Sequence, residues 1–289
     1  MNTQAAIIPR QLRVGLIGAG IDRSLTPAMH MREGEYCGLS YQYDLIDLEV
    51  RGLSVSDLSA LIDQAEAAGY SGLNITHPCK QAAVALVDEL SPDAQALRSI
   101  NTIVFDGGRR IGHNTDWWGF AESFRRGLDD VSLDRVVQLG AGGAGVAVAH
   151  AVAQMGARSI EIFDLDQSRA QALADQLKPA HAACSFSVGH DLAEALKMAD
   201  GLVHATPTGM AAHPGLPLDA HLVSDRLWVA EIVYFPIETE LVKLARQKGS
   251  RVLDGGGMAV FQAVKAFELF TGVRPNGERM LQHFDSLRL

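Results

Sequence analysis

The sequence predicts an α/β protein of two domains, each with a mostly parallel sheet. Short apolar runs alternate with helical patterns from Arg13 onward, and a second series of the same kind begins at Arg135. Such alternation is typical of βαβ units around a parallel sheet. A length of 289 residues is sufficient for two modest hydrophobic cores.

Capping residues, prolines and glycines indicate where the elements of the first domain begin and end. Thr26-Pro27 predicts an N-cap followed by Pro at the first helical position, and Gly38 and Gly69 stand where left-handed C-caps belong. The patterns predict strands at 14–17, 41–45 and 72–75 and helices at 27–36 and 57–68. Strands at 101–105 and 110–113 should then form a hairpin around Asp106-Gly107-Gly108.

The second domain is predicted to begin with a helix near Asp116. Its strands are expected at 135–139, 159–163, 201–205 and 228–233, and its helices at 143–155, 167–177 and 238–248. The stretch 260–269 is apolar at helical spacing and should return to the first domain. We therefore expect a substrate domain of residues 1–115 plus 256–289, a Rossmann-type domain of residues 116–255, and an active site in the cleft between them.

Composition excludes several classes of function. The net charge of −9 argues against nucleic acid as a partner, because that surface needs clustered Lys and Arg. No run of about 18 apolar residues is present, as a membrane span requires, and the start of the chain lacks the order of a signal peptide. The three cysteines and ten histidines match no disulfide framework or metal motif. We expect a cytoplasmic protein without metal, either a monomer or a homodimer.

One glycine-rich segment indicates a nucleotide site. Gly140-Ala141-Gly142-Gly143-Ala144-Gly145 follows a predicted strand and opens a helix, which is the context that the G-x-G-x-x-G pattern requires. The first glycine allows the tight turn, the second lets the backbone approach a pyrophosphate, and the third lets helix and strand pack closely. The alternative is a plain tight turn.

Asp164 predicts which dinucleotide binds. It closes the strand about 20 residues after the glycines, where a carboxylate accepts hydrogen bonds from the adenosine ribose and repels a 2′-phosphate. Arg169, a further predicted cofactor contact, lies on the following helix and not at the strand end, where a phosphate clamp is expected. The prediction is therefore NAD. The alternative is that Asp164 only caps the helix that follows.

Three polar clusters are expected to converge at sheet ends. They are Asn74 to Lys80, which turns at His77-Pro78, the pair Asn101-Thr102, and the segment Asn114-Thr115-Asp116. Lys80 is expected on the first turn of a helix. Alone it would be a solvated surface lysine.

At these residues the chain resembles the shikimate/quinate dehydrogenase family, and the resemblance extends along nearly the whole length. The segments that carry it are Ser24-Leu25-Thr26-Pro27, 74–81, Ser99-Ile100-Asn101-Thr102, His113-Asn114-Thr115-Asp116, 140–145, 205–210, Tyr234 with Pro236, and 257–262. The resemblance implies reversible hydride transfer between a nicotinamide and a ring carbon that bears a hydroxyl, giving a 3-dehydro product from quinate or shikimate.

The resemblance also implies a role for each site residue. Lys80 and Asp116 form the acid/base pair, because loss of hydride requires a proton acceptor near the substrate hydroxyl. The implied substrate contacts are Ser24, Thr26 and Tyr234 at the carboxylate, and Asn74, Thr76, Asn101 and Gln262 around the ring hydroxyls. The implied cofactor contacts beyond the glycine turn, Asp164 and Arg169 are Thr206, Met210, Gly255 and Met258.

The residues themselves leave alternatives open. Thr26 could serve purely as an N-cap, Ser24 could have only a loop role, and each amide could bond loop backbone instead of substrate. Residues 255–258 are expected to form a flexible crossing, where Met258 either touches the nicotinamide or packs between domains.

Three departures from the family pattern matter. Thr26 replaces the Ser more common in biosynthetic shikimate enzymes, and Asp164 replaces the Asn and Arg signature of NADP-binding members. Both favour the NAD-linked quinate/shikimate branch, which is associated with catabolic use of quinate. Glu231 replaces an Asp that commonly precedes the Tyr, on the cofactor side.

Other functions remain as alternatives. They are an NADP-using biosynthetic shikimate dehydrogenase, a folate-linked methylene dehydrogenase, which the Ser24/Thr26 pair does not fit, and a non-enzymatic NAD-sensing protein of the same fold. The choice between quinate and shikimate depends on a contact that the sequence does not locate.

Overall fold

The chain forms two compact units in the computed structural model, which describes residues 11–288. The first unit comprises residues 11–115 and 263–288, and the second comprises residues 116–262. The predicted return to the first unit was at residue 256, in a flexible crossing. That expectation is wrong, because residues 255–258 form the first turn of a helix that runs without a break from Gly255 to Thr271.

Strands and helices are numbered in chain order. The strands are β1 (Gln11–Gly18), β2 (Ser40–Asp47), β3 (Gly72–Ile75), β4 (Glu89–Leu90), β5 (Thr102–Asp106), β6 (Arg109–His113), β7 (Arg135–Leu139), β8 (Ser159–Phe163), β9 (Ser185–Val188), β10 (Gly201–His204), β11 (Trp228–Glu231) and β12 (Val252–Leu253). The helices are α1 (Thr26–Tyr36), α2 (Leu48–Arg51), α3 (Leu58–Ala67), α4 (Pro92–Leu97), α5 (Asp116–Gly127), α6 (Gly143–Gln154), α7 (Gln167–Leu177), α8 (Leu192–Met198), α9 (Glu240–Lys248), α10 (Gly255–Thr271) and α11 (Gly277–Leu287).

The first unit is built on a six-stranded sheet in the order β2-β1-β3-β5-β6-β4. β1 runs parallel to β2 and β3, and β5 runs antiparallel to its neighbours β3 and β6. β5 and β6 form the expected hairpin. Every residue of β3 is buried, as expected for a central strand covered on both faces. The carboxyl ends of β1 and β3 therefore open at one edge of the sheet.

A buried ion pair joins the first and last helices of this unit. Glu33 on α1 is 1% exposed and accepts hydrogen bonds from Arg279 Nε (2.8 Å) and Nη2 (2.6 Å) on α11. The backbone N–H of Asn276 adds a third bond at 2.7 Å. Because a buried carboxylate is stable only with such partners, the pair ties α11 to α1.

The second unit has a six-stranded sheet in the order β12-β11-β10-β7-β8-β9, and all its neighbouring strands are parallel. In chain order this is the 3-2-1-4-5-6 arrangement of a Rossmann fold. The predicted fold class is confirmed. The order of strands reverses next to β7, and this switch point is where open α/β sheets bind ligands.

None of the helices within residues 11–288 is both long and apolar enough to cross a membrane.

Candidate active site

The first helix presents two hydroxyl groups at its N-terminus. α1 begins at Thr26, and its N-cap is Leu25, whose apolar side chain forms no capping hydrogen bond. The expectation that Thr26 is the N-cap is therefore wrong, and its hydroxyl makes no capping bond. The Ser24 hydroxyl accepts a hydrogen bond from the Thr26 N–H at 3.4 Å. Both side chains are half-buried beside helix N–H groups that attract negative charge.

Lys80 follows β3 in a tight turn. The backbone N–H of Thr76 donates to the Ile17 carbonyl (2.9 Å), which holds Thr76 beside the end of β1, and the Cys79 N–H closes the turn onto the Thr76 carbonyl (2.8 Å). The chain then forms a 3₁₀ helix at Ala82–Leu86. Lys80 therefore precedes that helix and is not on the first turn of an α-helix, as predicted. It is half-buried, and its carbonyl accepts the Ile100 N–H at 3.1 Å.

Cys79 is fully buried next to Lys80. Burial raises the pKa of its thiol, so this cysteine remains a protonated core residue and not a nucleophile.

The polar clusters of the first unit do converge. The Asn74 amide donates to the Asn101 carbonyl (3.2 Å) and to the Thr102 hydroxyl (3.0 Å), and its oxygen accepts the Tyr43 hydroxyl (2.8 Å). Burial raises the pKa of Tyr43, which keeps that hydroxyl a donor. Asn74 is thus occupied by the protein itself, as the alternative reading allowed, and its bonds fix Asn101.

Asn101 extends this network to Thr115, which is also in the first unit. Its side-chain oxygen accepts the Thr115 N–H at 2.7 Å, and its amide donates to the Thr115 hydroxyl at 2.9 Å. Asn101 is 3% exposed and Thr115 is 1% exposed. The backbone of Thr115 is therefore fixed immediately before Asp116, the first residue of α5, which is itself buried.

Within the second unit, α5 packs closely on α10. A Cβ atom built on Gly119 would lie 2.5 Å from the backbone nitrogen of Gln262 and 2.8 Å from the carbonyl of Met258. Only glycine permits this approach. The packing fixes the helix that carries Asp116 against the helix that carries Met258 and Gln262, and the Gln262 amide donates to Ala259 of its own helix at 3.0 Å.

The glycine-rich turn has the geometry that its pattern predicts. Gly140 has a φ of 101°, and a Cβ atom there would lie 2.4 Å from the Ala205 carbonyl oxygen. A Cβ atom on Gly145 would lie 2.4 Å from the Gly140 oxygen, whereas Gly142 and Gly143 have no heavy atom within 4 Å of that position. The turn is therefore closed against the protein at its ends and open in the middle, at the N-terminus of α6, which spans 12 residues.

Gln138 braces this turn, a role that the sequence did not predict. It is 1% exposed, and its amide donates to the carbonyls of Gly140 and Gly145, both at 2.9 Å. A polar residue inside a buried strand is the signal that marks it.

Asp164 lies directly against the turn. One carboxylate oxygen accepts the Ala141 N–H (2.8 Å) and the other accepts the Asp166 N–H (2.9 Å). The cap of α7 is Asp166, which accepts the Ser168 N–H at 2.9 Å. Asp164 is therefore not the cap of that helix, and Arg169 is exposed with its guanidinium 3.7 Å from Asp166.

The remaining predicted residues follow strand ends of the second unit. Thr206 comes two residues after β10 and is half-buried, and Met210 is 42% exposed. Tyr234, at 51% exposure, lies in the loop after β11. A Cβ atom on Gly255 would lie 2.5 Å from the Val233 carbonyl, so α10 starts in contact with that loop.

Among residues 11–288, no group of three or more His, Cys, Asp or Glu side chains is arranged to hold a metal ion.

Comparison with known proteins identifies the substrate side. Residues 16–103 match the family model of the shikimate dehydrogenase substrate binding domain. An NADP-dependent shikimate dehydrogenase of Streptomyces avermitilis is 54% identical over 270 residues, covering 93% of each chain. An NAD-dependent quinate/shikimate dehydrogenase of Corynebacterium glutamicum is 48% identical over 278 residues, covering 95% of this chain and 98% of that one.

A solved structure matches this chain over nearly its whole length. Quinate dehydrogenase from Corynebacterium glutamicum in complex with NAD superposes with a TM-score of 0.91 at 46% identity, covering 96% of this chain and 99% of that one.

Proposed function

Because the chain belongs to the shikimate/quinate dehydrogenase family, we propose that it uses NAD to oxidise the C3 hydroxyl of quinate and shikimate reversibly. The observation that carries the choice of NAD is the Asp164 carboxylate, which hydrogen-bonds the glycine-rich turn. The bound nicotinamide would supply the hydride acceptor.

The dinucleotide is held by the second unit. Its pyrophosphate would lie on the open middle of the turn, at Gly142 and Gly143, where the N-terminus of α6 favours negative charge. Asp164 is half-buried beside Ala141, so a 2′-phosphate on the adenosine ribose would meet a fixed negative charge. Arg169 is exposed, and its guanidinium lies 3.7 Å from Asp166. These features favour NAD.

The substrate carboxylate would be bound by the hydroxyls of Ser24 and Thr26. They lie at the start of α1, an 11-residue helix, where the helix dipole favours a negative charge. Tyr234 would add a further donor. The Thr76 hydroxyl and the amides of Asn101 and Gln262 would meet the ring hydroxyls, since amides both donate and accept.

Lys80 and Asp116 would move the proton of the reacting hydroxyl. The proton must leave as hydride departs, so its acceptor has to be held at a fixed place. The turn at Thr76–Cys79 holds the backbone of Lys80, and the Asn101–Thr115 bonds hold the residue before Asp116. Asn74 acts in this scheme as a positioning residue for Asn101.

Calorimetric titration with NAD and with NADP tests the cofactor assignment. We expect NAD to bind at least tenfold more tightly, a difference of about 1.4 kcal/mol. The relative that is 54% identical is named as NADP-dependent, so an NADP-linked shikimate dehydrogenase is the second candidate. If NADP binds as tightly as NAD or more tightly, the NAD assignment is wrong and the NADP-linked enzyme is favoured.

A further inference from the structure

A fully buried histidine and glutamate face each other at the ends of β10 and β11. His204 is 0% exposed and Glu231 is 1% exposed. The two are register partners in the parallel pairing of these strands. Charged and titratable groups are rarely buried without a specific set of partners. The hydrogen-bond partners of this pair therefore determine what it does.

The Glu231 carboxylate is surrounded by donors and potential donors. Its oxygens lie 2.9 and 3.0 Å from His204 Nδ1. One oxygen also accepts the Val233 N–H at 2.9 Å, and the other accepts the Thr239 hydroxyl at 3.0 Å. Because a carboxylate accepts hydrogen bonds only, this arrangement places a proton on Nδ1 of the imidazole.

The other imidazole nitrogen faces Thr206. His204 Nε2 lies 2.5 Å from the Thr206 hydroxyl oxygen, which also accepts the Thr208 N–H at 3.2 Å. When only Nδ1 carries a proton, Nε2 accepts a hydrogen bond from the Thr206 hydroxyl. The Thr206 oxygen then keeps one lone pair beyond the Thr208 bond, so it presents an acceptor and not a donor.

Of the three hydrogen-bonded residues Glu231, His204 and Thr206, only Thr206 is not fully buried. It lies beside the glycine-rich turn. A Cβ atom on Gly140 would be 3.0 Å from the Thr206 methyl carbon and 2.4 Å from the Ala205 carbonyl. At the other end of the loop, a Cβ atom on Gly209 would be 3.3 Å from Thr239. The loop 205–209 is therefore anchored at both ends, and the buried pair orients the hydroxyl between them.

We propose that His204 and Glu231 are positioning residues for the dinucleotide. They hold the Thr206 hydroxyl with its free lone pair available, so that it accepts a hydrogen bond from an amide or hydroxyl donor of the bound dinucleotide. This inference rests on the dinucleotide site of the proposed function. It assigns to Glu231, which departs from the family pattern, a task shared with His204.

Three variants of the full-length protein test the proposal: Thr206→Val, His204→Leu and the double variant. The dissociation constant is measured for whichever of NAD and NADP the wild type binds more tightly, together with the KM for quinate and the unfolding midpoint. Thr206→Val removes the hydroxyl from a side chain of nearly the same shape, and we expect about tenfold weaker dinucleotide binding. The KM for quinate should stay within about twofold. Thr206→Ser should recover most of the lost affinity.

The double variant separates positioning from independent effects. If His204 acts through Thr206, both single substitutions remove the same hydrogen bond to the dinucleotide. The dissociation constant of the double variant should then be no more than about twofold above that of the single variant with the larger dissociation constant. His150→Leu is the matched control, since His150 is also buried in the second unit and lies 2.9 Å from His181. It should lower the unfolding midpoint and leave the dissociation constant unchanged.

The proposal is overturned if His204→Leu behaves like His150→Leu, with a lower midpoint and unchanged dinucleotide binding. It is also overturned if the effects of Thr206→Val and His204→Leu multiply. A preference for NADP would contradict the proposed function and leave this test intact, because the test uses the dinucleotide that binds.

Discussion

Asp164→Asn is expected to reduce the preference for NAD over NADP by about tenfold to a hundredfold, or about 1.4 to 2.8 kcal/mol. The substitution removes one negative charge while keeping the size of the side chain. In the structure that charge is held against the turn by the N–H groups of Ala141 and Asp166, at 2.8 and 2.9 Å. It therefore cannot move far from an approaching phosphate.

The magnitude follows from the position of the carboxylate. Two unit charges about 4 Å apart repel by about 1 kcal/mol in water and by about 4 kcal/mol at an effective dielectric of 20. Asp164 is half-buried, which places the expected value between these limits. The Asn amide would also turn an N–H₂ group toward one of the two backbone donors, at a cost of about 1–3 kcal/mol. Because both cofactors meet that cost, it cancels in their ratio.

The assay is kcat/KM for NAD and for NADP at a saturating concentration of the better substrate. Asp166→Asn is the control, since it makes the same change of charge two residues away and keeps the oxygen that accepts the Ser168 N–H. Its ratio should stay within about twofold of wild type. An unchanged ratio in Asp164→Asn, or an equal change in Asp166→Asn, would refute the reasoning.

Three further predictions concern catalysis and stability. Lys80→Met and Asp116→Asn should each lower kcat by about 10² to 10⁴ while the dissociation constant for NAD stays nearly constant; near-normal kcat in both would remove the assigned acid/base pair. Arg279→Ala should lower the free energy of unfolding by about 3 kcal/mol in urea titrations, because it leaves the Glu33 carboxylate buried with the Asn276 N–H and without its cation; a loss under about 1 kcal/mol would contradict this. Burial lowers the pKa of His30 to about 3, so below pH 6.5 the unfolded chain gains a proton that the folded protein does not take up until near pH 3. Stability should fall by about 2 kcal/mol from pH 7 to pH 5 on this account, and the same comparison in His30→Leu should lack that component.

Several elements of the second unit could be predicted from the sequence, and the strands β9 and β12 could not. β7 and β8 occupy the predicted residues, and α6 differs from its prediction by one residue at its end. β9 buries only Phe186 among its four residues, and β12 has only two residues. Their place comes from pairing with β8 and β11, which local periodicity does not reveal.

Glycine and cap signals misled at two places. Residues 255–258 were predicted to form a flexible crossing, yet they start α10. Gly255 is needed there because a Cβ atom would lie 2.5 Å from the Val233 carbonyl. Thr26 read as an N-cap, but the αR conformation of Leu25 places Thr26 inside the helix.

The residues of the candidate site could be predicted from sequence motifs. The hydrogen bonds that hold them in place could not. The sequence indicated that Asn74 and Asn101 come together, and the structure joins them by a 3.2 Å bond. The contributions of Tyr43, Gln138 and His204 depend on strand register, which decides what each buried polar side chain faces. A polar residue beside apolar neighbours marks Gln138 in β7 and His204 in β10, but the pattern does not name its partner.

The most direct test of the central claim is a two-by-two comparison of initial rates, with quinate and shikimate as substrates and NAD and NADP as cofactors. We predict turnover of quinate, shikimate or both with NAD, at a kcat/KM at least tenfold above that with NADP. Turnover of shikimate with NADP alone would contradict the claim.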